Sequence, residues 1–218
     1  MEKEVFKIEK EKNVFFIGAH PDDVETGCGG TISKHLDMGD SVYVLIMTNG
    51  EKGKHPTKLK ECIASLKILG VKKGNIIFGN FPDGYLKDDQ YVVNFIEKHL
   101  RKFNANRVYT HDPNDRHQDH RNCSNAVSSA ARRGINDIFL FQGPSTRIPF
   151  EPNYFVEISE EQFDKKIKSI ECYKSQIKKG ILNLVSIKAL AELYGSQHNV
   201  SYAEGFGINH VYKGKNEI

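Results

Sequence analysis

The strongest constraint in this sequence is a repeated change of hydrophobic rhythm. Val14-Phe15-Phe16-Ile17-Gly18 is an unbroken apolar run rich in β-formers. Such a run reads as a strand buried on both faces, as in a parallel sheet. Residues 24–36 then switch to helical spacing, with Ile32 and Leu36 on one side. Residues 41–47 (SVYVLIM) form a second buried-strand pattern. Residues 58–69 carry Leu59, Cys62, Ile63, Leu66 and Leu69 on one helical stripe, and Gly70 supplies the stop. The alternation continues with strands at 75–78, 107–110, 137–141 and 153–158, and a late strand at 206–212. Helices fall at 91–103, 119–132, 160–178 and 183–194. Strands alternating with helices imply βαβ units and right-handed crossovers. The expected fold class is therefore α/β, a mostly parallel sheet with helices on both faces. In such sheets the ligand crevice lies beyond the C-terminal ends of the strands.

Length fits that reading. The 218 residues, 39% hydrophobic and 27% charged, suit one domain spanning 1–218, with 1–12 as a charged lead-in. No internal repeat or Ser/Pro-rich linker divides it. The formal charge of +3 is too mild to imply nucleic-acid binding. No run approaches the ~18 apolar residues of a membrane helix, so stable membrane insertion is not expected. The charged start has no signal-peptide core. The four scattered cysteines read as reduced thiols, which points to a cytoplasmic protein. Oligomeric state is not legible, and a homo-oligomer is compatible with the pattern.

Chemistry-bearing residues gather after two strands. The first strand runs into Ala19-His20-Pro21-Asp22-Asp23-Val24-Glu25. His20 and Asp23 are both suitable zinc ligands. Pro21 stiffens the turn. Asp22, between the two, could turn its carboxylate toward a water at that metal. The competing reading is a polar loop with Asp22 or Asp23 capping the next helix. On these residues alone the two readings stand level. The strand at 107–110 runs into His111-Asp112-Pro113-Asn114-Asp115-Arg116-His117-Gln118-Asp119-His120. His117 and His120 share a face if a helix begins near Asp119. One polar loop is unremarkable, but two such clusters at one sheet edge favour a metal site. A His, Asp and His set with an open position is the ligand count of catalytic zinc.

Together, AHPDDVETGCGGTI and HDPNDRHQDHRN resemble the zinc-dependent deacetylases of the LmbE/PIG-L type. Thr48-Asn49-Gly50-Glu51, Glu61 with Leu69-Gly70-Val71, Tyr173-Lys174-Ser175-Gln176 and Tyr202-Ala203-Glu204-Gly205-Phe206 resemble further landmarks of that family. The likeness covers nearly the whole chain after residue 13. It implies a Rossmann-like α/β sandwich and a Zn2+ held by His20, Asp23 and His120. It implies Asp22 as general base and links His117 to stabilising the tetrahedral intermediate. The implied reaction removes acetyl from an N-acetylated amino sugar, an N-acetylglucosamine-type glycoconjugate. Many members carry arginine three residues before the helix glutamate, and here Lys58 stands there, without the bidentate fork. Lys58, Glu51 and Arg147 are candidate substrate contacts. Asp119 is a candidate for orienting a histidine.

Other features have plainer readings. Gly27-Cys28-Gly29-Gly30 does not complete a dinucleotide fingerprint and suggests close backbone packing. Cys28 and Cys123 read as small packing residues. His111 is a pocket neighbour, His198 and His210 read as surface or structural, and Asp115 and Arg116 carry no assigned role. The charged helix at 160–178 reads as a solvated surface. Two other functions fit the same residues: a zinc amidase on another acylated small molecule, or a non-catalytic carbohydrate- or metal-binding module. Asp22 separates them, because a module without turnover has no need of a carboxylate between two ligands.

Overall fold

The computed structural model describes residues 11–50 and 57–213. Fourteen elements follow in chain order: β1 (Asn13–Gly18), α1 (Asp23–Asp37), β2 (Ser41–Thr48), α2 (Thr57–Leu69), β3 (Ile76–Phe81), α3 (Gln90–Lys102), β4 (Arg107–His111), α4 (Gln118–Ala130), β5 (Asp137–Phe141), β6 (Tyr154–Ile158), α5 (Glu160–Ile170), α6 (Lys174–Lys178), α7 (Leu184–Ser196) and β7 (Tyr202–Val211). The seven strands form one sheet in the order β3-β2-β1-β4-β5-β7-β6. The first five run parallel, and β7 is antiparallel to both β5 and β6. The α/β sandwich expected from the alternating rhythm is what forms.

The strand period of two explains both cores. Phe16 and Val14 of β1 face one layer, where Val24, Ile32, Leu66 and Tyr173 meet them. Phe15 and Ile17 face the other, with Val92, Ile96, Cys123 and Val127. Each face of β1 is thus covered, so its sequence is apolar throughout. The GCGG stretch does bring backbone close to its neighbours. A Cβ on Gly27 would stand 2.6 Å from the Phe141 ring, and one on Gly30 would stand 2.5 Å from Ile158.

Two elements depart from the sequence reading. The helix expected over 160–178 breaks into α5 and α6. Tyr173 lies at the break, wholly buried, and its hydroxyl donates to Glu25 Oε1 at 2.6 Å. That buried bond takes Tyr173 out of the helical path. Nor is α5 only a solvated surface. Lys166 is buried, and its ammonium donates to Glu204 Oε1 at 2.6 Å. Glu204 also accepts from the backbone N–H groups of Gly30 and Thr31 and from the Thr31 hydroxyl. One buried carboxylate therefore joins β7 to α1 and α5. No helix among the described residues is long and apolar enough to cross a membrane.

Candidate active site

Strand order reverses between β1 and β4, which lie side by side. A crevice opens at such a switch point because the crossovers leave on opposite faces. The chemistry-bearing residues stand there. His20 follows β1, His111 ends β4, and His117 and His120 lie at the start of α4.

Asp22 adopts a left-handed backbone conformation, with φ of 96°. That conformation costs an L-residue roughly 1–2 kcal/mol, less for aspartate than for most. Asp22 is the N-cap of α1, yet its side chain makes no capping hydrogen bond. The helix-cap reading therefore fails for this carboxylate. The turn carries Asp23 back toward His20, and Asp23 Oδ2 accepts the His20 N–H at 2.6 Å.

Three residues bring potential ligand atoms together, Asp23 meeting each histidine through a different oxygen. His20 Nδ1 is 3.2 Å from His120 Nε2 and 3.4 Å from Asp23 Oδ2. His120 Nε2 is 3.4 Å from Asp23 Oδ1. Two ligands each about 2.0–2.1 Å from a tetrahedral zinc ion stand about 3.3 Å apart. The spacing of this trio thus fits a zinc ion. Imidazole lone pairs and a carboxylate this close favour a proton or a cation among them. Overlapping groups, His20–His117–His120, Asp23–His111–His120 and His20–Asp83–Asp119, likewise bring ligand atoms within 4.8 Å of one another.

The titration of these groups reflects the same convergence. Burial lowers the His120 pKa, but Asp23 and Asp115 outweigh it and bring it up to about 9. His20 also rises, with Asp119, Asp23 and Asp83 overcoming burial. Burial raises Asp23, yet the imidazoles of His120 and His111 hold it well below the usual carboxylate range. Asp22 moves the other way, pushed up by burial and by the charge of Asp23. Two adjacent carboxylates are therefore driven apart: one toward anion, one toward proton acceptor.

Surrounding groups hold the rings. Asp119 Oδ2 lies 3.1 Å from His20 Nε2 and accepts the Gly84 N–H at 2.6 Å, while Oδ1 accepts that of Leu86. Asp115 Oδ1 lies 3.3 Å from His120 Nδ1 and accepts from His117 N–H and the Ser145 hydroxyl. Its Oδ2 accepts from Thr146 at 2.9 Å. His117 Nδ1 accepts the Asp119 N–H at 3.2 Å and so caps α4. That leaves its Nε2 as the open position of the ring. Burial and the nearby rings of His20 and His120 lower its pKa. His111 is buried, accepts the Ala19 N–H at 3.0 Å, and stacks on His120. Burial pushes its pKa down to about 4, so the ring is neutral.

The remaining sequence candidates scatter. Lys58 donates to Gly50 O at 2.5 Å and holds down the Asp22 pKa against burial. Arg147 is exposed and lines a cavity beside the cluster. Glu51 lies outside the described residues. Arg116 is exposed and donates to Ser145 O. His198 packs edge-on to Phe155, and His210 pairs with Ile138 along the sheet, both away from the cluster. Cys28 and Cys123 are buried thiols with burial-raised pKa values, unlike thiolate ligands.

Two residues were missed. Asp83 Oδ1 lies 3.2 Å from His20 Nε2. It follows β3, so inspecting every strand end would have found it. Glu25 is wholly buried, and its Oε2 has no partner among the described residues. Burial raises its pKa to about 7. Its place in the DDVE run was the only available signal.

An open α/β sheet with a convergent His/Asp cluster at its switch point defines a protein with a candidate metal centre. Residues 15–131 match the protein family described as PIG-L: GlcNAc-PI de-N-acetylase. The uncharacterized deacetylase YaiS of Escherichia coli is 34% identical over 174 residues, 76% of this chain and 92% of that protein. The diacetylchitobiose deacetylase of Thermococcus kodakarensis is 31% identical over 221 residues, 89% of this chain and 82% of that one. The N,N'-diacetylchitobiose deacetylase of Pyrococcus horikoshii, solved with its inhibitor MPG, superposes with a TM-score of 0.79 at 27% identity. That superposition covers 97% of this chain and 90% of the other. This chain belongs to the PIG-L (LmbE-like) deacetylase family.

Proposed function

We propose that this chain is a zinc-dependent hydrolase that removes the acetyl group from an N-acetylated amino sugar of the N-acetylglucosamine type. The observation that carries the reading is the triangle of His20 Nδ1, Asp23 and His120 Nε2, with edges of 3.2–3.4 Å, beside an uncapped Asp22 carboxylate. The names of the two chitobiose deacetylases supply the sugar.

His20, Asp23 and His120 would hold the zinc. Bound there, it would supply a Lewis acid that makes water a better nucleophile near neutral pH. Asp22 takes the proton from the attacking water and returns one to the departing nitrogen. Its strained turn and its raised pKa both suit a base that must load and unload a proton. His117 donates from Nε2 to the developing oxyanion, because its Nδ1 is taken up by the Asp119 N–H. Asp119 and Asp115 fix the rings of His20 and His120. Lys58 keeps Asp22 from being protonated too readily. Glu51, Lys58 and Arg147 contact the sugar. The chain acts in the cytoplasm.

Acetate release from N-acetylglucosamine and N,N'-diacetylchitobiose tests the reading. Release that stops with a chelator and returns with zinc is expected. No acetate from a broad panel of N-acetylated sugars, with zinc bound, would leave a binding module as the better account.

A further inference from the structure

Helix α7 is apolar on both sides. On its inner side Ala191 and Tyr194 are buried, and the Tyr194 hydroxyl donates to Gln142 Oε1 at 2.9 Å. Its outer side carries Val185, Ala189 and Leu193, each four residues after the last and so in one row. Val185 is 78% exposed and Leu193 is 53% exposed. A helix on the surface of a domain ordinarily turns a charged face outward. Here only Lys188 and Glu192 are charged, and they stand 3.7 Å apart, so they offset each other.

The apolar surface continues past the helix. Ile181, just before the Asn183 N-cap, is exposed. It lines a cavity together with Ile148, whose side chain is almost wholly in solvent. The approach to α7 and the 143–152 loop thus share one rim. Single exposed aliphatics are ordinary, but a surface running from a helix into two neighbouring segments is one that a partner covers.

Charge says which partner. Between Lys174 and Ala191 the chain carries four lysines and no acidic residue. All four are exposed, and Lys174, Lys178 and Lys179 have no ion pair among the described residues. A second copy docked two-fold on this surface would set these cations against their own equivalents. Nucleic acid would meet the cations and leave the aliphatic side chains bare. An anionic bilayer answers both: its headgroups meet the lysines, and its acyl boundary takes the aliphatic side chains.

We infer that the outer side of α7, with the segment before it and the tip of the 143–152 loop, is a docking surface for an anionic lipid bilayer. The chain lies on the membrane at this surface, and none of its described helices crosses it. No residue of the metal cluster takes part, so the inference stands or falls apart from the deacetylase reading.

Flotation with vesicles of phosphatidylcholine alone, and of phosphatidylcholine mixed with phosphatidylglycerol, tests this. Binding to the mixed vesicles is expected to be about tenfold or more tighter, and to weaken with added salt. Lys178→Glu with Lys179→Glu reverses the charge, and Ile148→Ser with Val185→Ser removes the aliphatic contact. Both pairs lie at exposed positions, where substitution changes stability little. Each pair is expected to weaken binding about tenfold. Lys72→Glu with Lys73→Glu makes the same charge change just before β3, at the opposite edge of the sheet, and is expected to leave binding within about twofold. Absent binding, equal binding to both kinds of vesicle, or an equal loss in the control pair overturns the inference. A loss from the lysine pair without one from the serine pair also overturns it, because the contact is then charge alone. Sedimentation that shows a dimer dissolved by the serine pair gives the surface to a second copy and overturns it too.

Discussion

His20 Nδ1 and His120 Nε2 stand 3.2 Å apart, although one hundred residues separate them in sequence. Parallel pairing of β1 with β4 produces that contact, because it sets the ends of both strands at the same edge. Two nitrogen acceptors this close, with Asp23 completing the triangle, are the basis for the first prediction. His20→Ala and His120→Ala are expected to lower bound zinc from about one ion per chain to near zero. Elemental analysis of the purified variants checks it. Full zinc occupancy in both would place the metal elsewhere.

Asp22→Asn separates base from ligand. Asparagine tolerates the left-handed turn, so the backbone at φ of 96° should persist. Zinc content should match that of the wild type while kcat falls by about 10²–10⁴. Near-normal turnover at saturating zinc would remove Asp22 from the role of base.

Asp119→Asn keeps an acceptor for only one of the Gly84 and Leu86 N–H groups and removes the charge opposite His20. Zinc affinity should fall by about 10–100-fold, and the unmet N–H should cost about 1–3 kcal/mol of stability as well. Competition with a chromogenic chelator measures it. Unchanged affinity would reduce Asp119 to a structural tether of the 84–86 loop.

Away from the cluster, His35 makes stability depend on pH. Its Nδ1 lies 2.6 Å from Asp40 Oδ2, and its Nε2 lies 3.1 Å from the Tyr109 hydroxyl. Burial lowers its pKa, Asp40 pulls back, and Arg107 and Lys12 lower it further. A folded pKa below the unfolded one means the unfolded chain binds more protons as pH falls past about 6.5. The stability His35 contributes is therefore present above about pH 6.5 and is lost as pH falls through the folded pKa. His35→Gln should lower the melting temperature at pH 7 and also make it fall less between pH 7 and pH 5. A steeper fall in the variant would reverse the sign.

Gly27→Ala tests the packing of α1. The new methyl group would meet the Phe141 ring at 2.6 Å, and Phe141 packs on His111. Overpacking of this kind costs about 1–3 kcal/mol, against a helix-propensity gain of about 1 kcal/mol. Chemical denaturation should show net loss of stability. Gly74→Ala, with nothing within 4 Å, is the control and should be near neutral.

The sequence carried the parts of the fold that local rhythm encodes. Val14 to Gly18 and the SVYVLIM run are strands because both faces of each are buried, and an apolar run shows that directly. His20, Asp23 and His120 were legible as candidates because each lies in a polar cluster that begins at a strand end, two, five and nine residues beyond β1 or β4. What stayed hidden depends on distant partners. The Tyr173 break answers to Glu25, 148 residues away. Lys166 looked like a solvated charge because Glu204 arrives only when β7 inserts between β5 and β6. Asp83 reaches His20 from another strand end, and no spacing in the chain relates the two.

The switch point between β1 and β4 has a thermodynamic consequence. The residues that would hold zinc come from two stretches of chain joined only through the folded sheet, with β2, α2, β3 and α3 between them. An unfolded chain cannot present them together, so the ion would bind the native state almost alone. Free zinc at one hundred times its dissociation constant would then add about 2.7 kcal/mol to folding stability. The ion would act as a reversible clasp between the first strand and the fourth. The melting temperature should therefore rise with zinc concentration, and chelation should loosen the centre of the sheet before its edges.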